Sequence, residues 1–456
     1  MNLEVVILAA GQGTRMKSDL PKVLHRVAGK PLLEHVVETA QKLGPKALHV
    51  VVGHGGEQVK EALSHHTIGW VTQEQQLGTG HAVLQAMPAV SEDSTVLVLY
   101  GDVPLTKRET LEQLVTQAAE GPALLTANLA DSTGYGRILR DDSQRLLGVV
   151  EEKDATDEQR AIKEINTGLL AAPAKDLAHY LPLVGNENNQ QEYYLPDVLS
   201  LAVADGRTIA SSQAGSELEI LGVNDRVQLN QVEREYQRLQ AEALMREGVN
   251  LADAQRLDVR GELRCGKDVF IDVNVVFEGS VTLGDGVTIG ANCVLVDVDI
   301  DDGATIHPMS HLQEASVGKG CSVGPYARLR PGTRLADASR VGNFVETKKA
   351  HIGQGSKVNH LSYVGDCDMG DGVNVGAGTI TCNYDGVNKH KTVMGDGVFV
   401  GSNSTLVAPV TIEEDGFVAA GSTVTKTVAK GELGVGRARQ RNIGGWERPT
   451  KADDKE

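Results

Sequence analysis

The sequence predicts an α/β domain with a mostly parallel sheet, then one long helix, then a parallel β-helix. Three patterns carry that expectation. Up to Asp102, apolar runs of strand length alternate with segments whose apolar residues fall at helical spacing. Between Asp225 and Glu247 lies the longest helical pattern in the chain. From Leu283 onward an apolar residue recurs at every sixth position, a period that neither a helix nor a single strand produces.

Residues 4–10 (EVVILAA) form the first run, as for a central strand of a parallel sheet. After the loop Gly11-Gln12-Gly13-Thr14-Arg15-Met16, the segment Pro31–Leu43 places Leu32, Leu33, Val36, Val37, Ala40 and Leu43 on one helical face. A strand over Leu48–Val52, a helix over Glu57–Leu63, a short strand near Val71 and a helix after Gly80 follow. Thr95–Tyr100 is again a buried strand, ending at Gly101-Asp102. Ligands of such sheets bind outside the carboxyl ends of the strands. Both Gly11–Arg15 and Gly101-Asp102 stand at such ends.

That co-location is the first functional clue. Gly11 and Gly13 let backbone N–H groups approach a ligand, Arg15 adds a fixed positive fork, and Lys22 supplies a second cation. Together they suit phosphates. Asp102 at a strand tip suits Mg²⁺, which prefers oxygen ligands. Each feature alone is also what an ordinary strand–helix turn or a helix cap looks like. The loop is neither G-x-G-x-x-G nor a P-loop, so neither a dinucleotide site nor a Walker site is indicated.

In the helical pattern, Val227, Val232, Tyr236, Leu239 and Leu244 recur at spacings of three to five, with Gly248 as the C-cap. An exposed amphipathic linker is expected, and the short apolar seam argues against a coiled coil. The domains expected are therefore 1–226, a linker helix 227–248, and 249–456. In the last domain Leu283, Ile289 and Leu295 keep the beat; Val317, Val323, Leu329, Leu335 and Val341 continue it. Ile352, Val358 and Val364 resume it, and Met394, Val400, Leu406, Ile412, Val418 and Val424 carry it onward. Three hexads close one triangular coil, and stacked coils bury the apolar row that one coil cannot. An aromatic content of only 4% suits so thin an interior.

Two interruptions of the beat carry side chains that a rod does not need. Val341 to Ile352 falls one residue short of two hexads and contains Asn343–Glu346 and Lys348-Lys349. Gly376–Val393 is longer than a corner, as a binding loop would be. His360 lies between these breaks. Histidine titrates near neutrality and suits a general base, although an exposed rod histidine is the commoner case.

With 44 Lys plus Arg against 61 Asp plus Glu, the net charge of −17 argues against nucleic-acid or anionic-membrane partners. Five cysteines, an odd number without a C-x-x-C pair, argue against a disulfide framework and a zinc site, and fit a cytoplasmic chain. The N-terminus reads as a buried strand, not a signal peptide, and no stretch is long and apolar enough to insert in a membrane. The last residues, KADDKE, are expected to be disordered.

The motif LAAGQGTRMKSDLPK resembles the signature of sugar-1-phosphate nucleotidylyltransferases. Gln73, Leu77-Gly78-Thr79, Tyr100-Gly101-Asp102, Gly134–Arg137, Glu151-Glu152-Lys153, Asn166-Thr167-Gly168 and Gly222-Val223-Asn224 match in order. With the hexads attached, nearly the whole chain resembles the bacterial bifunctional N-acetylglucosamine-1-phosphate uridylyltransferase / glucosamine-1-phosphate N-acetyltransferases. The resemblance implies a Rossmann-like nucleotidyltransferase domain, a left-handed β-helix, a homotrimer and a role in UDP-N-acetylglucosamine supply for peptidoglycan and lipopolysaccharide. It implies UTP and acetyl-CoA as co-substrates and Mg²⁺ as cofactor.

By the same resemblance, Leu8, Ala9, Ala10, Gly11, Gln73, Gly78 and Thr79 would bind the nucleotide. Arg15 and Lys22 would hold the UTP phosphates, and Asp102 and Asn224 the Mg²⁺. Tyr100 and Gly101 belong to that site, and Gly136, Glu151 and Asn166 would bind N-acetylglucosamine 1-phosphate. In the second domain the match of Lys357–Tyr363 makes His360 the base. Arg330, Lys348, Tyr363 and Asn374 would bind glucosamine 1-phosphate, with Lys389 in reach, and Asn383 and Tyr384 would sit near the transfer point. Ala377, Ser402, Ala420 and Arg437 would contact acetyl-CoA. Two other readings compete: a monofunctional sugar nucleotidylyltransferase with a regulatory hexad domain, and a non-catalytic sugar-nucleotide scaffold. The His360–Tyr363 stretch and the long loop weigh against the first, and Asp102 with Asn224 against the second.

Overall fold

The computed structural model describes residues 2–449; the segment KADDKE lies outside the described residues. Contacts divide the chain into two compact units, Met1–Gln240 and Ala241–Glu456.

In the first unit, β1 (Leu3–Ala9), β2 (Ala47–Val52), β3 (Gly69–Thr72) and β4 (Thr95–Tyr100) alternate with α1 (Leu32–Gln41), α2 (Gly56–Ala62) and α3 (Thr79–Ala86). These four strands pair in parallel, β1 between β2 and β4, so Ala9, Val52 and Tyr100 end on one edge. All seven residues of β1 are buried, as a strand covered on both faces requires. After α4 (Arg108–Gln117) come β5 (Ala123–Asn128), β6 (Arg137–Arg140), β7 (Leu146–Val150) and β8 (Glu164–Pro173). β8 runs antiparallel between β4 and β5, and the β6–β7 hairpin hangs from its start. The sheet is thus mixed, with the expected parallel part forming one side of it out to the edge strand β3.

The helix α5 (Arg226–Arg246) carries buried residues in two stretches, a departure from the exposed linker expected. Val232 is buried with Met16, Val27, Leu32, Leu105 and Val223 in the first unit. Ala241 and Leu244 are buried in the core of the second. Val227, assigned to the apolar stripe, is instead 68% exposed.

The second unit is a stack of short parallel strands. One sheet of eleven strands aligns Ile289, Ile306, Val323, Val341, Val358, Val375, Val400 and Val418, residue upon residue. A second sheet of thirteen carries the column Leu283, Ile300, Val317, Leu335, Ile352, Met369, Met394 and Ile412. Every apolar residue on the six-residue beat is buried. The columns explain the short break near Asn343: a turn closes as well when one corner loses a residue, and Val341 still meets Val358. The long break is absorbed differently. Val375 pairs with Val400, so the extra residues leave the coil as a loop and the next turn resumes in register.

Candidate functional site

At the carboxyl edge of the first sheet lies a cavity of about 480 Å³. Leu8, Ala9, Ala10, Gly11, Lys22, Gln73, Gly78, Thr79, Tyr100 and Asp102 line it, as do Gln12, Gln76 and Glu192. Gly13 has φ of 63°, and a Cβ there would stand 2.6 Å from Lys22 Cβ, so the loop and the lysine fit only because residue 13 is glycine. Lys22 Nζ lies 2.5 Å from Asp102 Oδ2 and 3.2 Å from Asn224 Oδ1. An ammonium group thus stands where two oxygen ligands converge, and a hard cation suits that donor set. Asn224 is brought to Asp102 by the hydrogen bond from Val223 N to Asp102 O, 2.9 Å.

Gln73 is buried, with Nε2 donating to Gly78 O at 3.1 Å and meeting His81 Nδ1 at 3.0 Å. Gly136, Glu151 and Asn166 adjoin one another: Asn166 N donates to Gly136 O at 2.8 Å, and Glu151 occupies the space where a side chain on Gly136 would be. Burial pushes the Glu151 carboxyl up, and the carboxylates Asp197, Asp154 and Glu192 add to that. Burial likewise pushes Tyr100 up, with Glu151 and Asp102 contributing. Tyr100 therefore joins the Glu151 group to the cavity. Arg15 is exposed on a short 3₁₀ turn, Thr14–Met16, and does not line the cavity.

In the second unit, His360 and Asn343 are register partners, and His360 Nδ1 lies 2.9 Å from Asn343 Oδ1. The adjacent residues Tyr326, Phe344 and Leu361 occupy the same corner of successive turns, at φ of 55°, 56° and 50°. Their side chains are 52%, 56% and 63% exposed. A polar cluster follows on the next face. Arg330 Nη1 pairs with Glu346 Oε1 at 2.8 Å, Glu346 neighbours Tyr363 across the ladder, and Lys348 neighbours Gly365. Asn383 Nδ2 donates to Tyr363 OH at 3.5 Å and also to the Asp366 carboxylate. On the loop, Lys389 Nζ stands 3.9 Å over the Tyr384 ring, and Asp385 holds His390 at 2.6 Å. Asn374 pairs with Lys357 and has no hydrogen bond to this cluster.

Ala377, Ser402 and Ala420 form a column. Each lies two residues beyond the paired Val375, Val400 and Val418, and Arg437 donates to the Ala420 carbonyl oxygen. The five cysteines are free, and burial pushes Cys265 and Cys367 up to about 12 and Cys293 up to about 11, so none of these three is a ready nucleophile.

Residues 5–164 match the model of the MobA-like NTP transferase domain. Residues 264–296 match that of bacterial transferase hexapeptides, and 391–426 that of the hexapeptide repeat of succinyl-transferase. The chain is 58% identical over 451 residues to the Bifunctional protein GlmU of Marinobacter nauticus, covering 99% of both. It is 55% identical to that of Pseudomonas putida over 452 residues, and 55% to that of Chromobacterium violaceum over 450. The chain belongs to the bifunctional GlmU family.

As a GlmU-family member it is a bifunctional enzyme, a uridylyltransferase and an acetyltransferase, with a nucleotidyltransferase fold followed by a hexapeptide β-helix. No helix of the described residues is long and apolar enough to cross a membrane. Several residues of the two sites escaped the sequence reading. Gln76 Nε2 donates to Ala10 O at 2.5 Å, and the 191–195 segment forms a wall. There Tyr193 N donates to Leu77 O and Gly80 N to Tyr193 O, both at 2.8 Å. Gly78 has φ of 111°, and the Tyr193 backbone fills the space a side chain would need. The glycines at 78 and 80 were the one available signal of that close approach. In the sequence Asn343 is part of an interruption, and its contact with His360 follows from coil stacking.

Proposed function

We propose that residues 1–226 transfer UMP from UTP to N-acetylglucosamine 1-phosphate and that residues 249–456 acetylate glucosamine 1-phosphate with acetyl-CoA. The order of reactions then runs opposite to the order of domains. In uridylyl transfer a phosphate oxygen of the sugar attacks the α-phosphorus of UTP, the α–β bridging P–O bond breaks and pyrophosphate leaves. Both reactants are polyanions, so neutralisation is the main task. Lys22 and Arg15 take the triphosphate, while the backbone of Leu8–Gly11, with Gln73, Gly78 and Thr79, holds the base and ribose. Gly136, Glu151 and Asn166 hold the sugar. Asp102 and Asn224 would hold Mg²⁺, which when bound supplies charge neutralisation at the phosphates. The observation that carries this reading is the Lys22 ammonium held between Asp102 and Asn224 at the cavity.

In acetyl transfer the sugar amine attacks the thioester carbonyl, the C–S bond breaks and CoA leaves as its thiol. His360 takes the amine proton on Nε2 while Asn343 accepts Nδ1–H. Arg330 and Lys348 bind the sugar phosphate with Tyr363 and Asn374, and Asn383 and Tyr384 close on the transfer point. Ala377, Ser402, Ala420 and Arg437 line the path of acetyl-CoA. A homotrimer is supported by the exposed column Tyr326, Phe344 and Leu361, which flanks His360 and Asn343 and suits cover by another subunit.

The test supplies purified protein with glucosamine 1-phosphate, acetyl-CoA, UTP and Mg²⁺. CoA thiol release without UTP is expected. His360→Ala loses acetyl transfer and keeps uridylyl transfer, and Asp102→Ala does the reverse. Loss of both activities in either folded variant would overturn the assignment.

A further inference from the structure

The first turn of α1 and the turn before β3 bring together three metal-ligating side chains that neither reaction uses. Glu34 lies on α1, and His65 and His66 lie in the turn after α2. Their ligand atoms all lie within 4.8 Å of one another. Glu34 Oε1 is 3.1 Å from His65 Nε2 and 3.7 Å from His66 Nε2. A tetrahedral ion with bonds of about 2.1 Å spaces its ligands about 3.4 Å apart, between those two values.

A second observation concerns His66 alone. Its side chain is only 12% exposed, and its Nε2 is buried without a hydrogen-bond partner. Buried polar atoms are normally satisfied, so an orphaned ring nitrogen facing a carboxylate and a second imidazole calls for a ligand. The other ring nitrogen, Nδ1, lies 3.3 Å from Gln41 Nε2. A half-turn of that carboxamide sets its oxygen against Nδ1–H and leaves the Nε2 lone pair free, the usual outer support of a metal-bound histidine. His65 is 57% exposed, which leaves a fourth position open to water.

We propose that Glu34, His65 and His66 form a second cation site, taking a zinc-like transition-metal ion and not Mg²⁺. Two imidazoles and one carboxylate match the donor preference of Zn²⁺, whereas Mg²⁺ takes oxygen ligands such as Asp102 and Asn224. The bound ion ties the start of α1 to the turn before β3. Leu33, the neighbour of Glu34, fills the space where a side chain on Gly101 would stand, so the tie lies behind the strand end that carries Asp102.

Metal-stripped full-length protein is titrated with Zn²⁺ alone, and with Co²⁺ alone for its visible spectrum. Wild type takes up Zn²⁺ at this site in the presence of excess Mg²⁺ and gives the intense bands of tetrahedral Co²⁺. Glu34→Gln, His65→Asn and His66→Asn each remove one equivalent of Zn²⁺ and those bands. Gln41→Leu weakens binding by about 10- to 100-fold. His179→Asn, an exposed histidine elsewhere, changes nothing. Zn²⁺ raises the Tm of wild type but not of Glu34→Gln. Equal Zn²⁺ uptake by wild type and His65→Asn, whose exposed side chain can be replaced without disturbing the fold, overturns the proposal. So does an octahedral Co²⁺ spectrum.

Discussion

The contact between His360 and Asn343 allows the sharpest test of acetyl transfer. Asn343→Ala removes the oxygen that accepts the imidazole Nδ1–H at 2.9 Å. The ring is then free to protonate at either nitrogen and to turn. A net hydrogen bond contributes about 0.5–1.5 kcal/mol, and a tenfold change in rate corresponds to about 1.4 kcal/mol. The expected fall in acetyl-transfer kcat/KM is therefore about 2- to 12-fold. His360 is exposed, so water competes for Nδ1 and the lower half of that range is expected. The assay follows CoA thiol release across pH, with uridylyl transfer by the same preparation as internal control. Asn343→Asp places a carboxylate beside the ring, favours the protonated imidazole and moves the acid limb of the pH profile to higher pH. Sedimentation verifies that both variants keep the wild-type assembly. Full acetyl transfer in Asn343→Ala with an unshifted pH profile in Asn343→Asp would refute the positioning role.

Gly13→Ala places a Cβ 2.6 Å from Lys22 Cβ at a φ of 63°. Denaturant unfolding should register a loss of about 1–2 kcal/mol from the left-handed backbone alone, and KM for UTP should rise. Asp197 is pushed up to about 6 by burial, with Asp154 adding to it. A carboxyl raised in the fold stabilises below its unfolded pKa, and that contribution is lost as pH rises through about 6. Asp197→Asn should therefore flatten the decline in Tm between pH 4 and 7, which a pH series of thermal melts measures; an unchanged slope counts against it. Phe344→Asp puts charge on the exposed column next to Asn343. Sedimentation velocity should show the proposed homotrimer dissociating, with acetyl transfer lost and uridylyl transfer kept; an assembly of unchanged size and activity contradicts the proposed subunit arrangement.

Much of the rod was readable because its interior admits one apolar residue per hexad, and Leu283, Val323 and Ile412 state that period without help from distant residues. The strands β1 and β4 were readable for a similar reason, since burial on both faces leaves a plain apolar run. Longer-range relations were not. Nothing local to Gln76 tells that its amide meets Ala10, or that the Tyr193 backbone closes on Gly78. The helix after Asp225 has one apolar stripe by spacing, yet two separate cores divide it and leave Val227 in solvent. Lys22 was anticipated as a phosphate ligand, but its pairing with Asp102 depends on strand order. Asn343 came to His360 because one corner of the coil is a residue short and the next turn still stacks.

The loop at Asn383–Lys391 has a consequence for how such a rod can change. Met369 still meets Met394 and Val375 still meets Val400 on either side of it. A corner can thus be lengthened while every column above and below keeps its partners, and the entropy of a longer loop grows only slowly with length. Reach and rigidity are separable here. The coil supplies fixed anchor points at a regular pitch, and each corner is an independent place from which an arm of new length and chemistry can be extended.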